Sequence, residues 1–175
     1  MSLRTKRYGY CFLKKTFKKN VLIGKRIKKI CRKLKIKFLV NDNPLLAKKI
    51  NADGCHLGQK DMNLLEARKL LGKKIIGITC HNSSKLAKIA LKNGADYIAF
   101  GSFFSTKTKK IKYKADINIL NKLKLSKNIP IVAIGGINKL NYKKLLLNNA
   151  DFLAISGYVW NNKNLKPLEA IKKLK

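Results

Sequence analysis

Cysteine, arginine and acidic residues are scarce in this 175-residue chain, and it has no long apolar run. The four cysteines stand at positions 11, 31, 55 and 80 without a Cys-x-x-Cys pair, so a zinc site or a dithiol motif has little support. We expect Cys11, Cys55 and Cys80 to be buried thiols that pack as small hydrophobes. No stretch approaches the roughly 18 apolar residues of a membrane span, and Lys14 and Lys15 interrupt the N-terminal apolar stretch, which is a poor signal peptide. The sequence therefore predicts a cytoplasmic protein without a membrane partner.

The shortage of acidic residues leaves a formal net charge of +33, with 41 basic and 8 acidic side chains. A surface this basic attracts polyanions such as nucleic acid. Arginine, whose guanidinium forks onto phosphate or guanine, occurs only at positions 4, 7, 26, 32 and 68. The lysines are spread along the chain rather than collected in one arm. We therefore predict a solvated basic surface that binds nucleic acid only non-specifically, if at all.

Apolar runs and amphipathic segments alternate along the whole chain, which predicts a single domain over residues 1–175. The runs typical of strands are Tyr10–Leu13, Ile36–Val40, Gly54–Leu57, Lys74–Thr79, Asp96–Phe100, Ile129–Ile134 and Asp151–Ser156. The segments with helical spacing are Asn20–Leu34, Pro44–Ile50, Leu64–Leu71, Ser83–Asn93, Asp116–Leu125, Leu140–Leu147 and Leu165–Leu174. In the first of these segments, Ile23, Ile27, Ile30 and Leu34 fall on one face, which we expect to be the buried one.

Seven strands that alternate with seven helices predict an α/β fold with a parallel sheet and right-handed crossovers. A short phrase recurs before three of the strands, as Asn51-Ala52-Asp53, Gly94-Ala95-Asp96 and Asn149-Ala150-Asp151. Such repetition favours the quasi-repeated units of a TIM-type (β/α)8 barrel over an open sheet. A full barrel has eight units and usually about 250 residues. We therefore predict a TIM-type barrel that lacks its first strand–helix unit.

Acidic side chains follow two successive predicted strands in a chain that has few of them. Asn41 and Asp42 come directly after Ile36–Val40, and Asp61 follows Gly54–Leu57. Mg²⁺ binds a few carboxylates and completes its shell with water and phosphate oxygens, which Asp42 and Asp61 could support. Alternatively, Asp42 begins a turn and Asp61 caps the helix that follows Met62. Position alone leaves both interpretations open.

Three further strand ends carry residues suited to phosphate. The stretch Gly101–Lys110 combines hydroxyls and lysines without helical periodicity, as a loop that closes over phosphate requires, although a solvated basic loop would look similar. Gly135 and Gly136 follow the sixth predicted strand, and Ile155–Gly157 lies at the end of the seventh. Loops after the last two strands of barrels often hold phosphate. These positions predict a phosphate site.

The two histidines differ in position. His56 lies inside a predicted strand, where a packed core role and a site role are both open. His81 follows the strand that ends near Thr79, so it faces the loops and could carry protons, because the unperturbed pKa of histidine is about 6.5.

Taken together, the motifs resemble those of the thiamine-phosphate synthase family over nearly the whole chain from about Tyr10. The motifs that carry the resemblance are Asn41-Asp42, 52–61 (ADGCHLGQKD), 77–81 (GITCH), 94–101 (GADYIAFG), 106–109 (TKTK) and 133–137 (AIGGI). The resemblance implies a Mg²⁺-dependent transferase on a β/α barrel. Such an enzyme joins hydroxymethylpyrimidine diphosphate to a thiazole phosphate, releases pyrophosphate and yields thiamine phosphate. The implied partners are these phosphorylated small molecules, and a homo-oligomer is compatible with the sequence.

The resemblance also implies roles for single residues. It assigns the metal to Asp42 and Asp61, and catalytic roles to Thr79, His81 and Lys109. The substrate-binding positions that it implies are Asn41, Thr79 and Lys109 for the pyrimidine diphosphate, and Thr106, Thr108, Gly136, Ile155, Ser156 and Gly157 for the thiazole phosphate.

The chain departs from the family pattern near its N-terminus. The family's first strand has no counterpart, and Phe12–Thr16 replaces the usual Gln-x-Arg-x-Lys motif, so Lys14 or Lys15 would substitute for the arginine. A lysine does not reproduce the bidentate fork of arginine. Three alternatives therefore stay open: a thiazole tautomerase that uses His81, a degenerate family member without synthase activity, and a non-catalytic polyanion-binding protein.

Overall fold

A computed structural model describes residues 8–11, 16–106, 112–124 and 129–174 of the chain. These residues form two compact units. The first contains the described residues up to Ile78 together with Asn93–Ala95, and the second contains Thr79–Lys92 and the described residues from Asp96 onward. No helix in the described part of the chain combines the length and the apolar character needed to cross a bilayer.

The first unit is built on parallel strands with helices between them. Its elements are β1 (Tyr8–Cys11), α1 (Phe17–Lys33), β2 (Lys37–Asn41), α2 (Pro44–Lys49), β3 (Gly54–Leu57), α3 (Leu64–Leu71) and β4 (Ile75–Thr79), whose last residue belongs to the second unit. Strand β2 pairs with β1 and β3, and β3 pairs with β4, all in parallel. All four residues of β3 are buried, as expected for a parallel strand that is covered on both faces.

The second unit continues the alternation. Its elements are α4 (Ser84–Lys92), β5 (Tyr97–Phe100), α5 (Asn118–Lys124), β6 (Ile131–Ile134), α6 (Tyr142–Leu147), β7 (Phe152–Ala154), α7 (Gly157–Trp160) and α8 (Pro167–Lys172). Strand β6 pairs in parallel with β5 and β7. The seven strands and the helices between them follow the predicted order. The short helix α7 was not predicted, and β7 ends two residues before the predicted end at Ser156.

Helix α1 differs from its prediction in its start and in its buried face. It begins at Phe17, and it exposes 58% of Ile30 although this residue was expected to be buried. Leu34, which directly follows the helix, is likewise exposed, and the buried positions of the helix are Asn20 and Gly24. A Cβ at Gly24 would lie 2.7 Å from Cδ1 of Ile50. The close approach of α1 to Ile50 at Gly24 determines which face of the helix is buried. The spacing of apolar residues alone does not reveal this face.

The recurring Ala-Asp phrase has a structural reason, which Asp53 and Asp151 show. Asp53 donates its backbone N–H to the Phe38 carbonyl (2.9 Å), and its carboxylate accepts the Phe38 N–H (2.9 Å). Asp151 makes the same two bonds with Ile131, at 2.9 and 2.8 Å. Each aspartate thereby joins the start of one strand to the start of its neighbour. The aspartate of the repeat therefore helps to set the register between neighbouring strands.

Asp53 predicts a measurable dependence of stability on pH. Its carboxylate lies 3.3 Å from the Lys28 ammonium and 3.7 Å from that of Lys37. Burial alone would raise the pKa of Asp53, but the Phe38 hydrogen bond and the two ammonium groups outweigh it and hold this pKa below its ordinary value of 3.8. The resulting stabilisation is fully present above pH 3.8 and is lost as the pH falls through the lowered pKa.

We expect Asp53→Asn to reduce the free energy of unfolding at pH 7 by about 1 kcal/mol. The variant should also lose less stability than the wild type between about pH 6 and pH 3. Urea unfolding at several pH values measures both effects. Glu66→Gln, which removes an exposed carboxylate in the first turn of α3, is the control. An unchanged pH dependence in Asp53→Asn would contradict the assigned role.

Candidate functional site

The carboxyl ends of β2 and β3 place Asp42 and Asp61 in the first unit. Asp42 adopts a left-handed conformation (φ 62°) and donates its N–H to the His56 carbonyl at 2.8 Å. One oxygen of Asp61 accepts the Gly58 N–H at 2.6 Å. Asn63, rather than Asp61, caps α3, because its side chain accepts the Leu65 N–H. The interpretation of Asp61 as a helix cap is therefore wrong.

The charges of Asp42 and Asp61 both contribute to the pKa of one buried thiol. Burial raises the pKa of Cys55 to about 12, and the charges of Asp42 and Asp61 contribute to the same rise. Cys55 is fully buried, as is Cys80, whose pKa burial also raises to about 12. The prediction of buried thiols is thus confirmed for these two cysteines. The side chain of Cys11 lies outside the described residues.

The carboxylates of Asp42 and Asp61, which follow β2 and β3, are of the ligand type that Mg²⁺ prefers. Mg²⁺ is usually held by one or two protein carboxylates, with water and substrate phosphates as its remaining ligands, whereas Zn²⁺ prefers nitrogen and sulfur. Within the described residues, no group of three or more His, Cys, Asp or Glu side chains could enclose a metal. Asp42 and Asp61 supply two carboxylates, which is the number of protein carboxylates that commonly holds Mg²⁺.

His81 lies directly beyond β4 in the second unit. It has φ 53°, and its carbonyl accepts the Gly101 N–H at 3.0 Å. Its ring stacks on that of Tyr113, with 4.2 Å between centroids and 27° between planes. Burial lowers the pKa of His81 below its ordinary value of 6.5, which favours the neutral imidazole at pH 7. A neutral imidazole can both donate and accept a hydrogen bond.

The loops after β5 and β6 are hydrogen-bonded to each other. Phe103 donates its N–H to the Ile134 carbonyl (3.2 Å), and Phe104 donates to that of Gly135 (3.1 Å). Gly136 has φ 66°, and a Cβ there would overlap the carbonyl oxygens of Ser105 and Phe104. Only glycine allows this approach, because both the left-handed backbone and the space exclude a side chain. The Gly-Gly pair thus fixes the path of the loop that contains Thr106.

Two asparagines that the sequence analysis missed, Asn138 and Asn141, stabilise the glycine turn by hydrogen bonds. Asn141 donates its side-chain amide to the Gly136 carbonyl at 3.1 Å, and its Oδ1 accepts the Asn138 N–H at 2.8 Å. Because its carbonyl accepts the hydrogen bond from Asn141, the Gly136 peptide is held in one orientation. The Asn-x-x-Asn spacing after the glycines was the available signal.

The turn after β7 completes the predicted phosphate positions. Ile155 and Gly157 are half-buried and Ser156 is exposed. The Ser156 carbonyl accepts the N–H groups of Val159 (3.0 Å) and Trp160 (2.9 Å), while its side chain makes no capping bond to α7.

Other predicted site residues divide into two groups. Asn41 ends β2, Thr79 ends β4, and Thr106 lies in the loop after β5; all three are half-buried. Lys14, Lys15, Thr108 and Lys109 lie outside the described residues, so their assignments stay predictions. His56 is buried in β3, where its relative exposure is 9%.

Comparisons with known proteins agree with the resemblance. The family model for thiamine monophosphate synthase matches residues 3–159. The chain is 66% identical to the thiamine-phosphate synthase of Pelagibacter ubique over 162 residues, which are 93% of this chain and 78% of that protein. It is 47% identical to the Rhodospirillum centenum thiamine-phosphate synthase over 128 residues, or 73% of this chain and 62% of the relative. The chain thus spans less than two thirds of some curated relatives that it matches.

A solved structure extends the likeness to the fold. The thiamine phosphate pyrophosphorylase from Pyrococcus furiosus matches with a TM-score of 0.82 and 31% identity, over 95% of this chain and 79% of that one. The predicted fold class, α/β of the TIM-barrel type, is thereby confirmed. From the family model, the identity to curated relatives and this shared fold, we conclude that the chain belongs to the thiamine monophosphate synthase family, whose enzymes are transferases of thiamine biosynthesis.

Proposed function

We propose that this chain acts as a thiamine-phosphate synthase. It joins hydroxymethylpyrimidine diphosphate to a thiazole phosphate and releases pyrophosphate. The observation that carries the proposal is the pair Asp42 and Asp61 at the ends of neighbouring strands, where Asn63 and not Asp61 caps α3. Both carboxylates contribute to the raised pKa of Cys55, which supports a shared location.

The diphosphate substrate requires charge stabilisation at its leaving group. In the proposed reaction, the bond between the pyrimidinylmethyl carbon and the diphosphate oxygen breaks, and the thiazole nitrogen donates the electron pair for the new C–N bond. When bound to Asp42 and Asp61, Mg²⁺ would supply positive charge to the departing pyrophosphate. Asn41 and Thr79 would hold the pyrimidine diphosphate by hydrogen bonds. Lys109 would contribute a further positive charge to the leaving group.

The second unit would bind the thiazole phosphate. Gly136, in its left-handed conformation, and the Ile155–Gly157 turn present backbone at two neighbouring strand ends. Ser156 has an exposed side chain, and Thr106 lies in the loop that the glycine pair fixes. Thr108 would extend this set. Holding the thiazole nitrogen close to the reacting carbon then promotes bond formation by proximity.

The substrate assay is the direct test. We expect purified protein with Mg²⁺, hydroxymethylpyrimidine diphosphate and thiazole phosphate to form thiamine phosphate and pyrophosphate in equal amounts. Omission of Mg²⁺ with added chelator should remove the activity, and restoring Mg²⁺ should recover it. Protein that folds and yet forms no thiamine phosphate in this assay would refute the synthase proposal.

A thiazole tautomerase is the second candidate, and the state of His81 is the observation in its favour. A neutral imidazole at a strand end can move a proton between positions of a ring, and burial lowers the pKa of His81, which favours the neutral form. The same protein should then isomerise a thiazole carboxylate phosphate without Mg²⁺. Such turnover, together with an absence of synthase activity, would favour this candidate.

The remaining assignments extend the proposal. We place the enzyme in the cytoplasm and assign it phosphorylated small molecules as partners, with Mg²⁺ as its cofactor. Its basic surface would bind nucleic acid only non-specifically. A polyanion-binding protein without catalysis would instead show strong, salt-sensitive nucleic-acid binding that Asp42→Asn/Asp61→Asn leaves intact.

A further inference from the structure

Tyr113 stands outside every motif that carries the family resemblance, and its surroundings are nevertheless specific. Its ring stacks on the His81 imidazole although 54% of the residue is exposed. An exposed tyrosine on a lysine-rich stretch would ordinarily extend into solvent. Aromatic rings at 4.2 Å in a nearly parallel arrangement attract each other and restrict each other's rotation. The contact therefore limits the orientations open to His81.

The backbone around Tyr113 is anchored at two strand ends of the second unit. The Tyr113 carbonyl accepts the Ser102 N–H at 3.1 Å, and Ala115 donates its N–H to the Ser102 carbonyl at 2.8 Å. These two bonds hold Tyr113 against the residues that follow β5. Asp116 donates its N–H to Oδ1 of Asn82 at 3.1 Å, which ties the same stretch to the residue after His81. The stack is thus built on a fixed backbone and not on a freely moving side chain.

We propose that Tyr113 is a positioning residue that holds the His81 imidazole in one orientation, in which it contacts the substrate. This inference rests on the proposed function, and it adds to that reaction a substrate contact by His81. The stretch that contains Tyr113 also follows the loop predicted to cover phosphate, Gly101–Lys110.

The electrostatic surroundings of His81 are consistent with stacking as the controlling contact. Burial is the cause of its lowered pKa, and no charged group in the described part of the chain contributes. Charged residues close to His81 and Tyr113 along the sequence are Lys85 on α4, Lys112, Lys114 and Asp116. Removal of the Tyr113 ring should expose the imidazole to water and return its pKa towards about 6.5.

Two substitutions separate stacking from the phenol hydroxyl. Tyr113→Phe keeps the ring, so we expect kcat/KM within about twofold of the wild type and an unchanged His81 pKa. Tyr113→Ala removes the ring, and kcat/KM should fall about 5- to 20-fold. In the pH profile of kcat/KM for Tyr113→Ala, the acidic limb should move to higher pH, because the pKa of His81 rises. The melting temperature should change by less than about 3 °C, because the side chain is largely exposed.

NMR titration of the imidazole provides a readout that needs no activity. The chain contains two histidines, and His81→Asn identifies the signal of His81. Leu147→Ala removes an apolar side chain that is 83% exposed on α6 of the same unit, and it should match the wild type in both measurements.

The inference is overturned if Tyr113→Ala retains wild-type kinetics and His81 pKa, or if Tyr113→Phe is impaired as much as Tyr113→Ala. Wild-type protein without synthase activity would instead refute the proposed function. The NMR titration would still decide whether Tyr113 positions His81.

Discussion

The double substitution Asp42→Asn/Asp61→Asn is expected to lower kcat/KM for thiamine phosphate formation by about 10³-fold or more. Amides are neutral and bind Mg²⁺ weakly, so the variant would lose both the cation and the charge that stabilises departing pyrophosphate. The fold should persist, because asparagine keeps the shape of each side chain. After the change, the amide oxygen of the new side chain at position 61 could still accept the Gly58 N–H that the Asp61 carboxylate accepts now.

Kinetics, a check of the fold and a control variant test this expectation. Steady-state kinetics at several Mg²⁺ concentrations give the loss, and circular dichroism with thermal unfolding checks the fold. Glu66→Gln serves as the matched control, because it neutralises an exposed carboxylate of the same unit in the first turn of α3. If a folded double variant retained more than about a tenth of wild-type kcat/KM, the assignment of the metal to this pair would be wrong.

Gly136→Ala is expected to have the second large effect, on stability and substrate binding together. A Cβ at this position would overlap the carbonyl oxygens of Ser105 and Phe104 while the backbone is held at φ 66°. We expect a loss of about 2–4 kcal/mol in the free energy of unfolding. Displacement of the loop should also raise KM for the thiazole phosphate about tenfold or more, with a smaller effect on KM for the pyrimidine diphosphate.

Gly72→Ala separates the cost of the backbone conformation from the cost of overlap with the loop after β5. Gly72 also has a positive φ, 59°, with ψ −125°, but nothing lies within 4 Å of a Cβ placed there. Gly72→Ala should therefore lose only the conformational part, about 1–2 kcal/mol, and keep both KM values. Chemical denaturation and initial-rate kinetics measure the two variants side by side. Equal losses of stability would show that contact with the loop after β5 contributes nothing, and an unchanged KM in Gly136→Ala would remove the phosphate role.

Local patterns in the sequence were sufficient for the order of the elements. Strands such as β3 are short and wholly buried, and glycine or asparagine marks several helix ends, so alternation was visible without any tertiary information. Boundaries were less well determined. Helix α1 begins three residues before its predicted start, because the helical conformation extends beyond its periodic apolar face.

For the candidate site, the sequence predicted which residues follow the strands, since parallel strands carry their carboxyl ends to one edge. Asp42, Asp61, Thr79, His81 and Gly136 were all predicted from position and from the family resemblance. Neither source revealed Tyr113, because its contact with His81 depends on backbone bonds to Ser102 and on the path of a loop. Asn138 and Asn141 were missed for the same reason.

The sequence by itself thus determined the fold class, the family and the residue types at the strand ends, because these follow from periodicity and from motifs a few residues long. Only the tertiary structure decided which side chains already have structural partners. It showed that Asn63 rather than Asp61 caps α3, that Asp53 joins two strands, and that the His81 imidazole lies against Tyr113. Those distinctions depend on distances between residues far apart in the chain, which no local pattern encodes.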